Sequence, residues 1–191
     1  MIAYRVLFGY LGIIFKLAGF FPYFRNIFTG HTKPHAFSWL VWSALTGLAF
    51  SISLSEGGGL GAWVTGITSL GCFVIFLLAL FKGDRKFHWF DWLALLSAFI
   101  ALALWRTTND PITSVILITI TDVLGFLPSF RKGYGKPFEE TASAFALDAI
   151  GFSLGILALE TFTFSTWFYP ATIALTDGSF ALMIWLRRRT K

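Results

Sequence analysis

Seven runs of apolar residues joined by short polar loops decide most of what this chain can become. They cover approximately residues 5–27, 36–54, 60–82, 88–105, 111–130, 141–159 and 165–187, and a helix needs about 20 apolar residues to cross about 30 Å of hydrocarbon. Of the 191 residues, 56% are hydrophobic and only 13% charged, which is too little polar surface to cover a soluble globule. Inside lipid the backbone must satisfy its own hydrogen bonds, so runs of this length predict helices. No small-residue cleavage site with a polar mature region follows the first run, which therefore reads as a span and not as a removed leader. The connections hold turn-forming residues: Thr29-Gly30, Lys33-Pro34, Glu56 with Gly57, Gly58 and Gly59, Gly83-Asp84, Asn109-Asp110-Pro111, and Gly133, Gly135 and Pro137.

One motif occurs twice. KLAGFFPYFR runs from Lys16 to Arg25 and DVLGFLPSFR from Asp122 to Arg131, with Gly19, Phe20, Pro22, Phe24 and Arg25 recurring as Gly125, Phe126, Pro128, Phe130 and Arg131. A constant offset of about 106 residues is the mark of a duplicated unit. Ser38 and Ser143 follow in spans two and six, and Gly71 and Phe73 of span three match Gly178 and Phe180 of span seven. Spans one to three thus correspond to five to seven, and span four has no counterpart. The expected fold is an all-α membrane protein of seven transmembrane helices in a 3+1+3 order: a first unit over residues 1–82, a linker helix over 83–107 and a second unit over 108–191. An odd span between the units gives them the same orientation, a parallel repeat about an axis along the membrane normal.

Charge predicts the topology. The loops after spans one, three and five and the C-terminus hold Arg25, Lys33, Lys82, Arg85, Lys86, Arg131, Lys132, Lys136, Arg187, Arg188, Arg189 and Lys191, against Arg5 and Arg106 on the other side. By the positive-inside rule the N-terminus is outside and the C-terminus cytoplasmic, in an inner or plasma membrane. Topology also accounts for the formal charge of +5, so no nucleic-acid partner is expected.

Four ionisable residues fall within the spans: Lys16, Asp122, Asp148 and Asp177. An ionised group at bilayer centre costs on the order of 3 kcal/mol on insertion scales, so these side chains should face the bundle interior as substrate or coupling-ion residues. Lys16 and Asp122 occupy equivalent repeat positions and are expected to pair across the axis, as a switch or as a static lock between the halves. Asp148 has a second reading, a bond to Ser143 or Ser153. Trp42 lies one turn deeper than the interfacial tryptophans and is either a solute-facing ring or a packing residue. Pro22 and Pro128 free the carbonyls of Ala18 and Leu124 and permit kinks at a hinge or gate, although prolines also occur in membrane helices that do not move. Gly19 and Gly125 read as points of close helix contact.

A three-span unit with a proline near the cytoplasmic end of its first helix, a basic loop and a serine about fifteen residues on, doubled around a linker helix, resembles the PQ-loop and SWEET superfamily. In place of that family's Pro-Gln stand Pro22-Tyr23 and Pro128-Ser129. The resemblance implies transport of a small polar solute, a sugar, an amino acid or a small amine, by alternating access, with membrane carboxylates available for proton linkage. A receptor or partner-binding protein on the same fold is the alternative. The implied partners are the solute and the lipid bilayer, and a homo-oligomer fits the same bundle.

Catalysis and cofactors are not expected. His31, His35 and His88 sit in or beside loops without metal-ligand spacing, the single Cys72 excludes an intrachain disulfide, and no Ser-His-Asp set shares one depth. A retinal protein would need a lysine inside span seven, and Lys191 lies beyond it.

Overall fold

Asp110 shows how the chain starts its helices. Its carboxylate accepts from the amides of Ile112 and Thr113 at 3.0 and 3.3 Å and from the Thr113 hydroxyl at 2.5 Å, capping a helix whose first residue is Pro111. The Thr113 bonds hold this exposed carboxyl below its ordinary pKa. Thr163 and Thr166 form a reciprocal capping box at the start of the last helix, and His35 accepts from the Ser38 amide at another start.

The computed structural model describes residues 2–31, 33–83 and 89–190, and within these the side chains of all but Ile2, Phe90, Asp91, Ala94 and Pro128. Among the described residues there are seven α-helices: α1 (Ile2–Phe28), α2 (Ala36–Ser55), α3 (Gly59–Lys82), α4 (Trp89–Thr108), α5 (Pro111–Gly135), α6 (Ala142–Leu157) and α7 (Phe164–Arg189), with a short 3-10 turn at Pro137–Glu139. Four of them, α1, α2, α3 and α5, are long and apolar enough to cross a membrane. The outward faces carry large apolar side chains, with Phe81 83% and Leu175 74% exposed. Water would not tolerate such a surface over most of a monomer, and lipid solvates it. The protein is membrane-embedded and all-helical.

Helix positions follow the apolar runs, with one correction. Gly133 and Gly135, expected in a turn, are the last residues of α5, and the chain turns at Lys136. Tertiary contact overrides their low helix propensity: Gly133 lies against Phe180, and the Tyr134 carbonyl accepts from Arg187 at 3.3 Å. The turn expected at Asp84, with Arg85, Lys86 and His88, lies outside the described residues.

Packing joins helices adjacent in sequence and helices distant in it. α3 lies against α2 and α1, α7 against α6 and α5, and α1 packs extensively on α6, while α4 rests on α5 and α2. At one end, the loop after α2 and the loop after α6 are joined by backbone bonds, Glu160 N–H to Gly58 O at 3.3 Å and Thr161 N–H to Gly57 O at 3.2 Å. Arg5 adds a bond to the Glu160 carbonyl at 3.0 Å. At the other end Arg188 ties α7 to the carbonyls of Pro137 and Glu140 at 3.0 and 2.6 Å, and Lys132 pairs with Glu140 at 2.8 Å.

Candidate functional site

The interior is where polarity collects. Lys16, Asp122 and Asp177 are 0%, 6% and 5% exposed, the reverse of a soluble protein's pattern and the expected one where lipid is outside. Each sits in a helical stripe spaced by three or four residues, which puts it on the same face as the contact residues. On α1 the stripe is Gly12, Lys16 and Gly19; on α6 it is Asp148, Gly151, Phe152 and Gly155; on α5, Val115, Ile118, Asp122 and Phe126; on α7, Asp177, Phe180, Ala181 and Ile184.

Lys16 reaches from α1 to α6. Its ammonium nitrogen is 2.7 Å from Asp148 Oδ1 and 2.9 Å from the centre of the Phe152 ring, an ion pair and a cation–π contact on one cation. Apart from this ion pair the buried nitrogen has no hydrogen-bond partner. Asp177 of α7 is buried near Asp148 and Lys16. Asp148 keeps the most access, its side chain 23% exposed. Asp122 accepts a hydrogen bond from the Tyr169 hydroxyl at 2.5 Å, and Tyr169 is itself 1% exposed. Cys72 of α3 is buried and faces the same interior.

The pairing differs from the expected one. Lys16 meets Asp148 and not Asp122, because α1 packs against α6 and α3 whereas α5 packs against α7, α4 and α2. Repeat-equivalent positions are thereby set apart, and each charge finds the partner on its own neighbour. Of the alternative partners for Asp148, Ser153 donates to the Ala149 carbonyl at 2.8 Å. Phe152 and Tyr169 are site residues that the sequence reading missed. Phe152, four residues after Asp148, was visible as a ring on the acid's own helical face; Tyr169, beside Pro170, showed nothing but a phenol in an apolar run.

Towards the basic loops the cluster is closed by aromatic rings one turn away. Phe180 is fully buried and meets Phe126, Phe130 and Phe145 with ring centres 5.2, 5.0 and 4.6 Å apart, all edge to face. Trp42 belongs to this group, 6.2 Å from Phe126 and 5.2 Å from Trp39. It packs on the plug and does not touch the charges. Towards the other end, Leu45, Leu48 and Ile52 of α2, Val115 and Ile118 of α5 and Tyr169 of α7 form a dry core. A cavity of about 340 Å³ opens between α2 and α4, lined by Gly47, Ser51, Leu95, Trp105 and Arg106 among others, and by none of Lys16, Asp122, Asp148 and Asp177.

Pro22 lies inside α1 without ending it. Pro128 falls within α5, its side chain outside the described atoms. Gly19 does face α6, where an added methyl would lie 3.3 Å from the Ala144 carbonyl oxygen, whereas Gly125 faces open space and makes no close contact. No group of three or more metal-ligating side chains occurs among the described residues.

Comparison with family models, curated proteins and solved structures gives no match. What the chain does must therefore be argued from the cluster itself.

Proposed function

We propose that the protein is a membrane carrier of a small polar solute that works by alternating access, with its site at the Lys16–Asp148–Asp177–Asp122 cluster. The observation that carries this reading is the convergence of four ionisable side chains from α1, α5, α6 and α7 in the bundle interior. Desolvating charges is costly, and a merely structural bundle has no need of an excess of acid there.

A 3+1+3 parallel repeat is supported by the packing pattern. Exchanging α1 with α5, α2 with α6 and α3 with α7 turns α1–α3 into α5–α7 and α2–α3 into α6–α7, contacts of similar extent, while α1–α6 and α3–α6 become the slighter α2–α5 and α2–α7 contacts. A two-unit carrier of the PQ-loop and SWEET kind would open by rocking one unit against the other. The aromatic plug and the joined loops then act as the two gates, both closed. The basic end is the cytoplasmic one, so the N-terminus is outside and the C-terminus inside.

Counterflow in proteoliposomes, with labelled sugars, amino acids and small amines at two pH values, tests the reading. Exchange of one solute class by the wild type, lost in Asp177→Asn while the protein stays folded, is the expected result. Binding of a solute without any exchange would instead identify a receptor.

A further inference from the structure

The Lys16 ammonium is held as a ligand would be held. One carboxylate oxygen touches it at 2.7 Å, a second carboxyl, Asp177, stands beside the first, and the Phe152 ring presents its face at 2.9 Å. An acid and an aromatic face are the two elements that recognise organic ammonium ions. Apart from the Asp148 pair the buried nitrogen has no hydrogen-bond partner, so the cage leaves its remaining donors unmatched. We infer that Asp148, Asp177 and Phe152 form a site for a small organic ammonium ion, and that Lys16 occupies it as a tethered stand-in when the solute is absent.

Three features favour exchange. The cluster holds three carboxyls to one ammonium, so a second cation is electrostatically welcome. A lysine head sits on a flexible four-carbon stem and can withdraw without moving the backbone. An entering ammonium takes over the pairing with Asp148, so that carboxylate is never left uncompensated. The partly exposed Asp148 is where an entering cation would first make contact.

The transport consequence rests on the carrier reading, whereas the site can be tested by binding alone. In purified full-length protein, Lys16→Ala should melt at a lower temperature than the wild type, and n-butylammonium should restore several degrees of it while butanol and butyrate restore none. Adding Phe152→Leu should weaken that rescue about fivefold in concentration, and adding Asp148→Asn should abolish it. Lys16→Gln, which keeps a similar stem without charge, serves as the background should Lys16→Ala fail to fold. The inference is overturned when n-butylammonium stabilises neither variant, or when butanol does so equally well. Counterflow separates the two claims. Exchange of sugars but of no amine would remove the ammonium site and leave the carrier, while amine rescue with no exchange of any solute would leave the site and remove the carrier.

Discussion

Tyr169 and Asp122 form another polar contact of the interior, and at the scale of single residues it is easily dissected. The phenol is the partner that satisfies Asp122, so Tyr169→Phe removes a donor from a buried acceptor and changes little else in shape. Such a loss costs about 1–2 kcal/mol, allowing for the modest worth of polar bonds measured between membrane helices. The same substitution in an Asp122→Leu background should cost far less, because no acceptor is then stranded. Stability measured on all four proteins of this double-mutant cycle decides the matter; equal losses in both backgrounds would mean that the hydroxyl contributes nothing through Asp122. The presence of buried charge was legible in the sequence, since four ionisable residues inside apolar runs have nowhere else to go. Their partners were not, because a side chain pairs with whatever the neighbouring helix offers, and helix neighbours are a tertiary property.

At the scale of helices, the seam between α3 and α6 is a tight constraint. A methyl added at Gly61 would fall 2.5 Å from the Gly155 carbonyl oxygen and 2.7 Å from the Leu159 nitrogen, backbone atoms that cannot swing aside. Gly61→Ala is therefore expected to lower stability by about 1–3 kcal/mol through overpacking. Gly125→Ala meets nothing within 4 Å and should be neutral or stabilising by up to about 1 kcal/mol, as removal of a mid-helix glycine usually is. Thermal unfolding of the two variants in detergent gives the comparison, and similar losses from both would refute the seam. Helix spans were readable to within a few residues, because span length is fixed by the bilayer and the loops are marked by turn residues. The exception is the C-terminal end of α5, where Gly133 and Gly135 looked like breakers and were kept helical by Phe180 and Arg187 on α7. The two repeated glycines had the same local sequence context, yet only Gly19 faces another helix, since α6 covers α1 there and nothing covers Gly125.

At the scale of the whole molecule, aromatic rings pack on the basic side of the charges and an apolar core and two joined loops on the opposite side, while Asp148 stays partly exposed. If the plug is a gate, Phe180→Ala, which removes the ring that the other three phenylalanines share, should admit water to the cluster from the basic end alone. The single cysteine of the chain is buried near those charges. A membrane-impermeant maleimide should label Cys72 slowly in the wild type and at least several-fold faster in Phe180→Ala when supplied at the basic end, with no gain when supplied at the other. Acceleration from both sides would point to general loosening. The natural sequence thus carries its own clock for opening: every visit to an unsealed conformation leaves a permanent chemical mark on one sulfur atom, with no engineered label required.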